Sequence, residues 1–182
     1  MTETNPFPYF LPAQARILIM GSFPCYNGSG YGDWFYSGSG RNHLWTLLSE
    51  ILQMPASTHD EKKALCEKHG IALTDIAYRI KRIKNNCSDA NLRIIEFNKK
   101  GMDICLASGI SRIFFTGKFV EKHFLKLYPG NTRPCFLLPS PSPAANRHIG
   151  GLEEYRKMVK SGKVKNVYDY RLMKYRQLLL AG

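Results

Sequence analysis

RILIMGSFPCYNGSGYGDWFYSGSGRNHLW, residues 16–45, is the stretch whose reading decides the fold. It opens with the run Arg16 to Met20, which stops at Gly21. A run this short, and rich in branched residues, reads as a strand buried on both faces, as in a parallel sheet. From Ser22 to Arg41 the chain is dense in glycine, serine and aromatic residues. A loop of about 20 residues is long for a compact domain and marks a functional segment. At Asn42 the pattern turns helical. Leu44, Leu47, Leu48, Ile51 and Leu52 recur at helical spacing, with Asn42 as the expected N-cap.

Outward from this unit, strands and helices alternate. Strands are expected at Ile71 to Ala77, Leu92 to Ile95, Ser111 to Thr116 and Cys135 to Leu138. Helices are expected from Asp60 to a C-cap at Gly70, from Asn98 to Ala107, and after Gly117 to about Leu127. Two more carry Leu152 to Val159 and Tyr168 to Leu180. Arg79, Lys81, Arg82, Lys84, Asn85 and Asn86 read as a basic, asparagine-rich loop. The alternation implies an α/β fold whose parallel sheet is covered on both faces. With 182 residues and no repeat, linker or low-complexity block, one domain over 1–182 is expected. A second unusual loop, LPSPSPAANRHIGG, leaves the strand at Cys135 to Leu138. In such folds ligands bind beyond the carboxyl ends of the strands. Both loops therefore belong on one rim.

Composition narrows the partners. Lys and Arg number 26 against 14 Asp and Glu, a formal charge of +12. A field of that sign steers polyanions and favours nucleic acid. The alternative is a solubilising surface; the basic residues are too spread along the chain for a membrane patch. The five cysteines are odd in number and contain no CxxC pair, which argues against a disulfide framework, a structural zinc and a four-cysteine iron–sulfur site. Reduced thiols and a cytoplasmic location are the simplest reading. No secretion signal and no run of 18 apolar residues is visible. His43, His59, His69 and His123 show no metal spacing and HExxH is absent, so neither metal nor cofactor is expected. GxSxG is also absent, which removes the main support for a serine α/β hydrolase.

Three blocks in order carry a resemblance. GSFP, the aromatic pair and RNHLW resemble the first motif of the uracil-DNA glycosylase superfamily, and LPSPSPAAN resembles its second. With GIALTDIAYR and SDANL in the middle, the chain resembles the hypoxanthine-DNA glycosylase branch most, from about Ala13 to Gly151. The resemblance implies a three-layer sandwich around a central, mostly parallel four-stranded sheet. It also implies a monofunctional DNA N-glycosylase of base excision repair. Such an enzyme flips a deaminated base (hypoxanthine, uracil or xanthine) from DNA and hydrolyses its N-glycosidic bond. DNA containing a damaged base is the expected partner, and the protein is expected to act as a monomer. The alternative is a nucleic-acid-binding module of weak or no activity on the same fold.

Bond cleavage leaves positive charge on the sugar and negative charge on the departing base, so donors must face the base and a water must be placed. By resemblance Asn42 is the catalytic asparagine; its amide offers one acceptor and two donors but is no general base. The plain alternative is a helix cap. Gly21, Ser22 and Phe23 form a turn whose N–H groups can meet the base edge. Phe35 or Tyr36 would stack on the extruded base, the other reading being two core aromatics. Many relatives carry Asn or Asp where this chain has Phe23, and some a histidine where it has Leu138. Asp33 is then a compensating carboxylate or a turn cap. Ser140 and Ser142 are placed to bond phosphates, on a loop stiffened by Pro139, Pro141 and Pro143. Asn146, Arg147 and His148 follow it and would occupy the gap left by the flipped base or grip a phosphate. Lys118 is a further phosphate contact or an ordinary surface lysine.

Overall fold

The computed structural model describes residues 2–26, 28–84 and 86–180, so Asn27 of the first loop and Asn85 of the basic loop lie outside the described residues. Two short strands, β1 (Thr2–Thr4) and β2 (Tyr9–Phe10), precede β3 (Ile17–Gly21), which is the RILIM run. β3 pairs in parallel with β4 (Ile71–Asp75) on one side and β7 (Arg112–Phe115) on the other. β8 (Cys135–Leu137) extends the sheet in parallel beyond β7, while β2 runs antiparallel along β4. The order is β2-β4-β3-β7-β8. The main sheet thus has five strands rather than the expected four: four parallel, plus a two-residue antiparallel edge. The edge forms because the carbonyl of Pro8 accepts the Thr74 hydroxyl at 2.9 Å, holding Tyr9 and Phe10 in register with Thr74 and Leu73.

A second, antiparallel sheet has the order β1-β5-β6, with β5 at Ala77–Arg82 and β6 at Leu92–Phe97. The first half of the expected basic loop is therefore a strand. Alternation hidden by charge runs from Arg79 to Lys81, exposed on either side of the buried Ile80, and irregular register between Ala77 and Ile80 lets Ala77 be buried as well.

The strands of the main sheet send alternate residues to two cores. Leu18, Met20, Ala72, Ile113 and Phe115 face one side, where α3 (Lys99–Leu106), α4 (Lys118–Leu127) and the small sheet cover them. Ile19, Leu73 and Phe114 face the other, under α1 (Leu44–Leu52), α2 (His59–His69) and α7 (Val167–Leu180). The result is three layers. Each fully buried Leu or Phe contributes about 1.5–3 kcal/mol of transfer free energy. α5 (Asn146–Gly151) and α6 (Glu153–Lys160) pack on α7 through a satellite cluster of Ile149, Val164 and Tyr170. Local signals fix the ends of α2. Thr58 and Glu61 form a reciprocal capping box, and Gly70 closes the helix at φ 63°. Among the described residues no helix is long and apolar enough to cross a membrane.

Candidate functional site

The carboxyl ends of β3, β4, β7 and β8 open into one cleft of about 1430 Å³. Its wall includes Ser22 and Phe23 after β3, Asp75 ending β4, Thr116 to Lys118 after β7, and Leu138 to Ala145 after β8. Tyr36, Asn42 and His148 also line it. The two loops therefore share the rim that parallel topology requires.

Gly21 lies against two residues that line the cleft, Asp75 and Tyr36. A Cβ there would lie 2.3 Å from Asp75 Oδ1 and 2.7 Å from Tyr36 Oη, so only glycine lets these groups close over the strand end. The carbonyls of Gly21 and Ser22 accept from the N–H groups of Ile76 and Ala77, at 2.8 and 3.2 Å. Tyr36 adopts φ 60°, a left-handed conformation that strains a non-glycine residue by about 1–2 kcal/mol. Its hydroxyl lies 3.3 Å from Thr116 Oγ1. Burial and the nearby Asp75 hold the Tyr36 phenol protonated well beyond its usual range.

Asn42 precedes α1 and lines the cleft. Its Oδ1 accepts the Leu44 N–H at 2.9 Å, so the oxygen caps α1 while the side chain stands on the cleft wall. His43, one residue later than expected, occupies the N-cap position without a side-chain cap bond. The N–H of His43 donates to the carbonyl of Pro141 at 3.0 Å and joins the two loops directly.

The second loop is held from behind. Its carbonyls turn away from the cleft: Tyr175 Oη donates to Pro139, while Arg171 donates through Nε to Ser140 at 2.7 Å and through Nη2 to Ser142 at 2.9 Å. Arg171 is fully buried, and its Nη1 lies 3.3 Å from His43 Nδ1. Burial and this guanidinium lower the His43 pKa, leaving a neutral ring to accept the contact. The Ser140 hydroxyl oxygen accepts the Ser142 N–H, and that of Ser142 accepts the Ala144 N–H. Among the described residues neither hydroxyl donates a hydrogen bond, so each can serve an external acceptor. Asn146, Arg147 and His148 begin α5 and are exposed; of the three, His148 faces the cleft and Arg147 a shallow depression beside it. Lys118 is the exposed first residue of α4, on the cleft.

Several expected site residues lie elsewhere. Phe35 is a core residue: it is 1% exposed, packs on Phe7 and Trp34, and its carbonyl accepts the Trp45 indole N–H at 2.7 Å. Of the aromatic pair, only Tyr36 reaches the cleft. Asp33 is not a base-facing carboxylate; it pairs with Lys62 Nζ at 2.9 Å and anchors the first loop to α2. Phe23 is an apolar wall, with Tyr31 edge-on at 6.0 Å and the Arg82 guanidinium 5.9 Å from its ring. Cys25 and Cys87 form a disulfide that joins the first loop to the β5–β6 connection, correcting the expectation of reduced thiols throughout. Cys66, Cys105 and Cys135 are free.

Two acidic residues of the cleft escaped the sequence reading. Asp75 is 4% exposed and accepts the Asn5 amide at 3.0 Å. Its signal was available, since it ends the run IALTD opposite Gly21 on β3. Asp89 lies within SDANL, a block that carried resemblance but no assigned role. Burial pushes the Asp75 carboxyl up to about 7 against the Asn5 bond, and raises Asp89 against the opposing effect of the nearby Ser22.

The Asp75 shift has a direct consequence for stability. The folded chain holds this proton more tightly than the unfolded chain, where a carboxyl titrates near about 4. The resulting stabilisation is full below that pH and is lost as pH rises through about 7. Asp75→Asn removes the titration and keeps an acceptor for Asn5. Thermal melts of this variant should show a flatter pH profile across that window and a Tm above wild type at about pH 8. A variant whose Tm still falls with wild type would assign the loss to another group.

No family model matches the sequence, and no curated protein matches it. Among solved structures, the chain is similar to a protein from Methanosarcina acetivorans, solved by solution NMR and provisionally assigned as a uracil DNA glycosylase. The TM-score is 0.61 at 21% identity, over 95% of this chain and 99% of that one. The likeness is one of fold: the chain has the uracil-DNA glycosylase fold.

Proposed function

We propose that the protein is a monofunctional DNA glycosylase that draws a deaminated base (hypoxanthine, uracil or xanthine) from DNA into this cleft and hydrolyses its N-glycosidic bond. The observation that carries the reading is Asn42. Its oxygen is fixed by the Leu44 N–H, which leaves two amide hydrogens to meet a base edge or a water on the cleft wall. Tyr36 lines the same cleft and offers an aromatic surface for the base, and the turn at Gly21 to Phe23 is suited to present backbone to it. Hydrogen bonds aimed at the departing base lower the barrier because its negative charge grows in the transition state. The Ser140 and Ser142 hydroxyls, Lys118 and residues 146–148 at the start of α5 are suited to the DNA backbone and to the gap the flipped base leaves. None of these steps requires a metal or a cofactor, and one copy of the chain holds every group.

The reading is tested with oligonucleotides carrying a single uracil, hypoxanthine or xanthine, treated with hot alkali after incubation. Strand breaks at the modified position are expected for at least one base. Phe23 favours a second reading, a binding module, because the residue is apolar where relatives carry an amide or acid. DNA binding with no strand break on any substrate would select it.

Binding itself should depend steeply on salt. Three to five phosphate contacts release enough counterions to weaken binding by about 50- to 500-fold between 50 and 200 mM salt. Lys118→Ala and Arg147→Ala should each make the logarithmic slope shallower by about one. Slopes unchanged in both variants would move the phosphate track away from α4 and α5.

A further inference from the structure

Asp89 opens the short turn Asp89–Asn91 between β5 and β6. Asp89 lines the cleft together with Ser22. Its Oδ2 lies 3.6 Å from where a Cβ on Gly117 would sit, so the group stands between the ends of β3 and β7. Among the described residues no Lys or Arg forms an ion pair with it. Asp75 is occupied differently, accepting from Asn5 and packed onto Gly21 beneath Tyr36. Asp89 is the more open of the two, and a carboxylate offers several acceptor sites.

A half-buried carboxyl without a cation is costly in a cleft whose partner is a polyanion. The cost is offset where the ligand brings a donor to it. Deamination creates such a donor. Adenine N1 and cytosine N3 are bare acceptors, whereas the corresponding ring nitrogens of hypoxanthine and uracil carry a hydrogen beside a carbonyl. A carboxylate accepts from that N–H and opposes the lone pair of the undeaminated base. Resting on the glycosylase reading, we propose that Asp89 determines base specificity by accepting the lactam N–H that deamination creates. The device separates hypoxanthine from adenine and uracil from cytosine. It does not separate xanthine from guanine, which share that N–H.

The test pairs deletion of the acceptor with deletion of the donor. Wild type, Asp89→Asn and Asp89→Ala are assayed for kcat/KM on duplexes carrying hypoxanthine or N1-methylhypoxanthine, the latter lacking the hydrogen. Binding is read in parallel on 2′-fluoro sugars, which slow bond cleavage, and melting temperatures establish that each variant is folded. Wild type should prefer hypoxanthine by about 10- to 100-fold, the range of a hydrogen bond to a charged group. Both variants should lose most of that preference, with affinity for undamaged DNA unchanged or slightly raised. A preference retained in the folded variants overturns the role of Asp89 and leaves the glycosylase reading intact. A preference seen in wild-type binding and lost in the variants, without base release, supports Asp89 and overturns turnover instead.

Discussion

Asn42→Ala is expected to lower base release by about 10²–10³-fold, the usual loss when one donor to a developing anion is removed. Affinity for undamaged DNA should stay within about threefold, because phosphate contacts supply most of it. The variant has a second effect that must be separated from the first. The Leu44 N–H loses its side-chain partner, which costs about 1 kcal/mol of stability. For a chain of this size that lowers Tm by about 2–4 °C. Asn42→Asp distinguishes the two effects. Aspartate caps a helix as well as asparagine does, so Tm recovers. It brings no amide hydrogens, so base release does not. Base release that follows Tm in both variants would reduce Asn42 to a cap. Unchanged release in Asn42→Ala would end its assignment to the chemistry.

The layers and the cleft were legible in the chain because apolar runs announced them. RILIM, SRIFFT and CFLL became β3, β7 and β8, and the two glycine- and proline-rich loops that leave β3 and β8 could only meet at one rim. β5 was masked because lysine and arginine occupy its outward positions. Phe35 and Tyr36 are adjacent, and nothing in their order shows which faces the cleft. Only the folded chain distinguishes them: Tyr36, at φ 60°, lines the cleft while Phe35 stays in the core. Asp33 with Lys62, and Cys25 with Cys87, are contacts between distant segments that no local pattern encodes. The place of Asn42, beside the start of α1 and on the cleft, was legible because it ends the loop that leaves β3.

Arg171→Met should cost about 2–4 kcal/mol of stability, seen as a fall in Tm of about 4–16 °C. The guanidinium is fully buried and donates to the carbonyls of Ser140 and Ser142. Removing a buried charge can be neutral when its partners are replaced together with it. Here the partners are backbone carbonyls, which no substitution at position 171 removes. Ser142 keeps the N–H of Ala145 as a donor, so the heavier loss falls on Ser140. The decision between relief of a desolvated charge and stranding of acceptors therefore goes to the second. Arg171→Lys keeps the charge but not the planar fork that spans two carbonyls, and should fall between wild type and methionine. The functional consequence follows from position. The same contacts keep the cleft side of residues 139–145 pre-ordered, so loosening them adds ordering entropy to DNA binding. Both variants should bind DNA about tenfold more weakly at a temperature where they remain folded. A methionine variant with unchanged Tm and DNA affinity would show that the proline-rich loop holds its shape without the buried arginine.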